Sequence, residues 1–274
     1  MKFFRHLVGV FLTLIFVCTQ AAALPSASLN PKVQKISDEN AAQRWATFSR
    51  SVQAKTFVFD FKLTHYPRQA EEVEYFGTMY GKESSGKTFI RLTLKNGGKM
   101  CDYLFIRKNA RDIFAYKFEN NSLKEIPESE LNSPIKNGLI YTYFDILTPY
   151  KFWESEYLEP VRIGQAAYLF LAKSPKKGVL PDVKIALSRE FNHPVLTQVL
   201  NESGMPLRSF SLGSVKKIIN YWIMKNAEIR DEISRDRDRF SIIRASLNEN
   251  IDDNIFKPEN LGKQIDTTFN LKKL

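Results

Sequence analysis

The chain reads as a mainly β protein with few helices, and three observations predict this. From residue 54 onward, hydrophobicity flips at every second residue over most of the length, which is the period of half-buried strands. The alternating runs are separated by hairpin-length gaps with turn residues such as Asn96-Gly97-Gly98, Lys108-Asn109, Asn192-His193-Pro194 and Asn201 to Gly204. No long helical stretch stands between the runs, which argues against a parallel α/β sheet. About eleven short strands so arranged predict an antiparallel meander, a sandwich or a barrel, open or closed.

Taken in order, the first residues set the compartment. Lys2 and Arg5 precede an apolar run from Leu7 to Val17, and Ala21 and Ala23 occupy the small-residue positions of a signal-peptidase site. The run is too short for a membrane span, which needs about 20 residues. Val17, just before Cys18, stands where a lipoprotein signal requires a small residue. The expectation is export to the periplasm, cleavage after Ala23 and one soluble domain over residues 24–274. Cleavage removes Lys2 and Arg5, so the formal net charge of +10 falls by two. A basic surface of this size suits an anionic partner or serves solubility alone. Cys101 is the only cysteine left after cleavage, so no internal disulfide forms and packing must supply the stability.

Residues 24–29 read as a flexible leader. Asn30-Pro31 predicts a helix start, and Ala41, Trp45, Phe48 and Val52 form one helical stripe. Strands are then predicted over Lys55 to His65, Glu72 to Lys82, Lys87 to Leu94, Met100 to Arg107, Asp112 to Phe118, Ala166 to Lys173, Val183 to Arg189, Pro194 to Glu202, Pro206 to Lys216, Tyr221 to Asp231 and Arg237 to Asn248. The first places Phe57, Phe59, Phe61 and Leu63 on one face, an unusually bulky aromatic wall. The next two add Tyr75 and Met79, then Ile90 and Leu92. Between Pro127 and Pro160 the pattern breaks into the densest aromatic cluster of the chain, including Tyr141, Phe144, Leu147, Tyr150 and Trp153. Phe144 to Leu147 is expected to make one helical turn stopped by Pro149. This insert is either a lid over a cavity or a plug that completes the core, and the residues alone favour the plug.

Signals for catalysis are thin. Gly81 to Thr88 matches a phosphate-binding loop letter for letter, but that mechanism needs its lysine and threonine to open a helix, whereas Thr88 here opens an alternating strand. His65 and His193 sit beside turns with no metal-ligand spacing. Cys101 falls in an alternating strand as a buried, inert thiol. The run Arg235-Asp236-Arg237-Asp238-Arg239 reads as a solvated hairpin with cross-strand ion pairs. No enzyme, cofactor, metal or nucleic-acid partner is expected.

The order of these pieces resembles a known family. The exported helix with Trp45, the strand Thr56-Phe57-Val58-Phe59-Asp60-Phe61, the following strand through Gly77, Phe144-Asp145-Ile146-Leu147-Thr148-Pro149 with Trp153, and the late Tyr221-Trp222-Ile223 are similar to the outer-membrane lipoprotein-sorting proteins, the LolA-like group. The stretch Ile255 to Leu261 resembles the closing segment of its longer members. The resemblance implies an open antiparallel β-barrel of about eleven strands covered by helices and a lid, and a periplasmic, monomeric carrier of lipoprotein acyl chains or other lipid. It implies, as partners, an inner-membrane release complex or exporter and an outer-membrane receptor; the alternative it carries is a lipid-sensing or scaffold subunit. On this reading the insert becomes a lid, and Phe57, Phe59, Phe61, Leu63, Tyr75, Met79, Ile90, Leu92, Phe144, Leu147 and Trp153 line the lipid site. No family residue transfers by position.

Overall fold

The computed structural model describes residues 33–50, 54–218 and 221–274. The signal segment, the Asn30-Pro31 helix start and Val52 lie outside the described residues. One helix, α1 (Asp38–Ser49), precedes the sheet. Ser37 caps it by accepting from the Asn40 N–H, and Asp38 and Glu39 in the first turn favour the positive end of its dipole. Residues 33–37 are not helical, so the helix begins well after the predicted start. Its buried stripe is Ala41, Trp45 and Phe48, the spacing expected of a single packed face.

Fourteen antiparallel strands follow: β1 (Thr56–Tyr66), β2 (Val73–Ser84), β3 (Lys87–Asn96), β4 (Lys99–Arg107), β5 (Ile113–Glu119), β6 (Ser122–Ile126), β7 (Ser155–Ile163), β8 (Gln165–Ala172), β9 (Val183–Ser188), β10 (Pro194–Leu200), β11 (Pro206–Ile218), β12 (Tyr221–Asp231), β13 (Arg237–Leu247) and the two-residue β14 (Lys272–Lys273). They form one open sheet in the order β6-β5-β4-β3-β2-β1-β13-β12-β11-β10-β9-β8-β7, with β14 added on β13. The eleven predicted strands are all present, and the expected number is corrected to fourteen. Two of the three missed strands, β6 and β7, are the free edges of the sheet. An edge strand needs no alternation on a covered face and tolerates proline, whose missing N–H faces away from the ladder. Pro160 in β7 is such a case, so the end of the predicted insert is in fact strand. The stretch Gly81 to Thr88, whose letters match a phosphate loop, turns as a tight hairpin at Ser85-Gly86, both at positive φ, between β2 and β3.

Because β6 and β7 lie at opposite extremes of the sheet, the segment 127–154 that joins them has to cross its hollow side. It carries α2 (Tyr143–Leu147), begun by a Thr142 and Asp145 capping box, ended by Thr148 in the left-handed conformation and stopped by Pro149. Leu131, Ile135, Leu139, Tyr141, Tyr143, Phe144, Ile146, Leu147, Tyr150 and Trp153 from this segment join the inner strand faces in one continuous apolar core. A second, smaller core lies on the outer face of β1 to β5. There Ile251, Ile255, Phe256 and Leu261 cover Val58 and Leu104. Beneath that cover the buried Arg91 and Asp102 pair at 2.5 Å. Arg91 also donates to the Lys263 carbonyl, and Asp102 accepts from the Gly262 N–H.

The aromatic wall fits because glycines stand opposite it. Phe57 pairs with Gly81 and Phe61 with Gly77 across β1 and β2. A Cβ on Gly81 would sit 2.0 Å from Phe57 ring carbons, and one on Gly77 would sit 2.7 Å from the Phe61 ring. Overpacking at such a site costs about 1–3 kcal/mol. Gly81→Ala is therefore expected to lower stability in urea denaturation by that amount, with part of the loss recovered when Phe57→Leu is added; equal stability of Gly81→Ala and wild type would show that the ring has room to move.

Candidate functional site

All eleven predicted lipid-site residues lie in the inner core. The inner faces of β1, β2 and β3 thus carry Phe57, Phe59, Phe61, Leu63, Tyr75, Met79, Ile90 and Leu92, and α2 adds Phe144 and Leu147 to the same core. The arrangement is close: Phe57 stacks on Phe59 with centroids 4.5 Å apart, Phe61 on Phe240 at 4.7 Å, and Phe144 meets Tyr150 and Trp153 at 5.9 and 5.8 Å. Over β1 to β5 the trough is filled by the crossing segment. Cleft space remains on the other half of the sheet. There a hollow of about 40 Å³ lies between Tyr141, Thr148 and Tyr150 of the segment and Leu196, Phe210, Leu212, Met224 and Ala227 of β10 to β12. By that measure it has room for roughly two to three waters and none for an alkyl chain. Larger hollows, of about 520 and 590 Å³, lie among turns and charged side chains, one beside 177–182 and 200–207 and the other beside β5 and β6.

The crossing segment is held at a small number of polar points. Arg208 on β11 reaches Asp145 of α2 with Nε at 2.8 Å and Nη2 at 3.0 Å, and Nη2 also donates to Asn132 and Thr142. Asp145 in turn accepts from the Thr142 N–H at 3.0 Å, so one carboxylate both caps the helix and ties it to the sheet. A second pin is Asp238 on β13, with no exposed surface. It accepts from the Ile140 and Tyr141 N–H groups at 2.7 and 3.2 Å and pairs with His65 Nδ1 at 2.6 Å. At the far end, Trp45 Nε1 and Ser49 Oγ of α1 donate to the Trp153 and Lys151 carbonyls, and Trp153 Nε1 donates to Ala110. Trp45 and Phe48 are therefore core anchors that also hold the segment.

The run of alternating arginine and aspartate is corrected in one respect. Arg237 and Arg239 do make the expected cross-strand ion pairs with Glu228, but Asp238 points inward as the second pin rather than into solvent. Sequence reasoning missed both Asp238 and Arg208. The available signal was a charged residue on the inner parity of an otherwise apolar strand face. Cys101 is buried, and burial pushes its thiol up. It donates to Glu119, which also receives Lys117 of β5 and Lys136 of the crossing segment, and these bonds hold the Glu119 carboxyl down at about 2. His193 is driven down to about 4 by burial. Among the described residues no group of three or more His, Cys, Asp or Glu could hold a metal ion.

This architecture is the LolA-like open barrel, and solved structures share it. An outer membrane lipoprotein-sorting protein domain from Vibrio parahaemolyticus is 13% identical, with a TM-score of 0.71, covering 81% of this chain and 96% of its own. A DUF1329 family protein from Desulfovibrio piger is 8% identical, with a TM-score of 0.72 and coverage of 81% and 98%. A LolA superfamily protein from Nitrosomonas europaea is 12% identical, with a TM-score of 0.62 and the same coverage. No curated protein matches in sequence. Residues 87–263 match a family described only as an uncharacterized protein, and the chain belongs to that family.

Two outcomes follow from the pins. Removing one partner of a buried ion pair costs about 3–5 kcal/mol because the other charge is left unpaired. Arg208→Ala should show that loss in chemical denaturation, while Arg208→Met combined with Asp145→Leu should lose less than the two single changes together; strict additivity would mean that the pair is not coupled. For the second pin, the hydrogen bond that His65 donates to Asp238, with the charges of Asp238 and Asp236 adding to it, raises His65 above its ordinary 6.5 despite partial burial. A group raised on folding stabilises fully below its unfolded value and loses that contribution as pH climbs through the folded value. Thermal melts should therefore show wild type losing its advantage over His65→Gln as pH rises above 6.5. Lys151, held down to about 8 by burial, acts in a separate window, where stability rises with pH above that value.

Proposed function

We propose that the chain is an exported, periplasmic carrier that takes acyl chains of lipoproteins or other lipids between the crossing segment and the inner sheet face, and moves them toward the outer membrane. It is not an enzyme on this reading. The observation that carries the proposal is the manner of closure. An aromatic trough is covered by a separate segment that is fixed by two buried polar pins and by α1, and apolar cleft space remains along β10 to β12. The described state is the closed one. When the pins at Asp145 and Asp238 let go, the segment leaves Phe57, Phe59, Phe61, Leu63, Tyr75, Met79, Ile90 and Leu92 facing Phe144, Leu147 and Trp153 across a space for a hydrocarbon tail. Each methylene buried there contributes ~0.8 kcal/mol. An inner-membrane release complex or exporter would load the carrier, and an outer-membrane receptor would unload it. The lipoprotein-sorting and LolA superfamily neighbours support the same role.

A lipid-sensing or scaffold subunit uses the same trough, and it differs in holding a membrane partner without passing lipid on. Gentle native mass spectrometry of protein purified from the envelope, followed by transfer between vesicles, separates the two. The carrier reading expects co-purified lipid and transfer. Lipid without transfer gives the sensor, and bare protein that takes up no lipid removes both.

A further inference from the structure

The sheet is split along part of one seam. β12 and β13 each run for eleven residues, yet they pair only over Asn226–Arg230 with Ser241–Arg237. Beyond that point β12 keeps pairing with β11 as far as Tyr221, and β13 keeps pairing with β1 as far as Leu247, so the sheet parts into two leaves. At the far end a side-chain bond, from Asn248 Nδ2 to the Tyr221 hydroxyl at 3.1 Å, spans the gap. The gap is filled by residues from much later in the chain. β14 pairs with Arg244 and Ala245 of β13, Leu274 donates its N–H to the Ile243 carbonyl at 2.9 Å, and the Leu274 side chain is buried in the inner core. Among the described residues no strand pairs with the facing edge of β12 over 221–225.

The slot is apolar inside and cationic at its mouth. Ile223 and Met224, neighbours that point to opposite sides of β12, are both fully buried. Met224 also lines the small hollow beneath the crossing segment, so one residue borders both the seam and the hollow. Lys272 and Lys273 of β14 are exposed at its outer side. The stretch that reaches the slot is held unevenly. Its earlier part is fixed by the buried Arg91 and Asp102 against Gly262 and Lys263, whereas the backbone of its last part is held by two strand pairs and the Leu274 N–H bond, with Leu271 packed on the outer core and Leu274 in the inner one.

We propose that the β12/β13 seam is a lateral port through which the acyl chain of an anionic lipid enters the core, and that residues 271–274 are a displaceable strap that closes it. This rests on the carrier reading and names its route. A chain attached to a bulky head group cannot be threaded end-first through a packed barrel, but it can slide sideways between two parted leaves with its head left outside. The exposed lysines suit a phosphate left at the mouth. Leu274 occupies the place that the incoming tail takes over.

The test locks and removes the strap. In a Cys101→Ser background, Arg244→Cys with Lys273→Cys places thiols at directly opposed strand positions, a separation suited to a disulfide. Uptake of a fluorescent acyl-labelled phosphatidylglycerol from phosphatidylglycerol vesicles is timed for this protein oxidised and reduced, and for a chain ending at residue 270. Loss of the few backbone bonds that hold the strap should speed uptake roughly tenfold, and the lock should slow it to a similar degree. The reduced form of the same protein controls for folding. Equal rates in locked, reduced and shortened chains that all bind the lipid at equilibrium would overturn the port and leave the carrier reading standing. Failure of every form, wild type included, to bind at equilibrium would overturn both.

Discussion

The hollow side of a curled sheet lined with phenylalanine cannot stay wet, and most of the architecture follows from that constraint. Burying a phenylalanine contributes about 1.5–3 kcal/mol, so the wall formed by Phe57, Phe59 and Phe61 with Phe105, Phe170 and Phe240 needs a cover. Topology supplies it. The strands run outward in two arms from the central β1 and β13 pair, ending at edges β6 and β7, and the only link between the arms must span the whole hollow. That link is the most aromatic stretch of the chain. Its composition and its path therefore have one cause, since a polar connection along the same route would strand every ring beneath it.

Apolar packing alone would leave the register of such a link poorly defined, because one ring fits against another in many ways. The buried polar groups remove that freedom. Asp145 with Arg208 sets the position of α2 against β11, and Asp238 holds two consecutive backbone N–H groups of the segment against β13. Pairs of this kind add little net stability relative to well-packed hydrophobic residues, yet they penalise every arrangement that leaves a charge unpaired. They make this one position of the segment specific rather than merely favourable.

How much of this was legible in the sequence depended on whether a residue obeyed a two-residue period. Strands with one covered face announced themselves, and period two grouped residues such as Met79 and Leu92 with the neighbours that share the inner core with them. The edges β6 and β7 escaped because an edge carries proline and charge where an inner strand does not. Asp238 was hidden within an alternation that was itself regular, since parity shows which residues share a face and not which face is buried. The outer core was missed although a trace of it was present. Phe57-Val58-Phe59 and Tyr103-Leu104-Phe105 are apolar at every position, as strands covered on both faces must be. The strap over the outer face and its return to the seam join residues too far apart in the chain for any periodicity to connect them.

A filled trough and a carrier are compatible because what matters is the difference between the two states. A tail that buries a dozen methylenes gains about 10 kcal/mol, at roughly 0.8 kcal/mol each. Opening gives up the two polar pins and the contacts of Tyr141, Phe144 and Tyr150 with the sheet, each such buried ring contributing about 1.5–3 kcal/mol. On the proposed carrier reading the two sums are of similar size, so that occupied and empty forms would lie close in free energy. Near-balance is what a carrier requires: a pre-opened greasy trough would hold its cargo too tightly to release it, whereas a segment that repacks as the tail departs returns much of the binding energy at the moment of delivery. On that reading the dense packing of Phe57, Phe59 and Phe61 is the competitor that a cargo would displace, and the strength of the pins would set how readily that exchange runs in each direction.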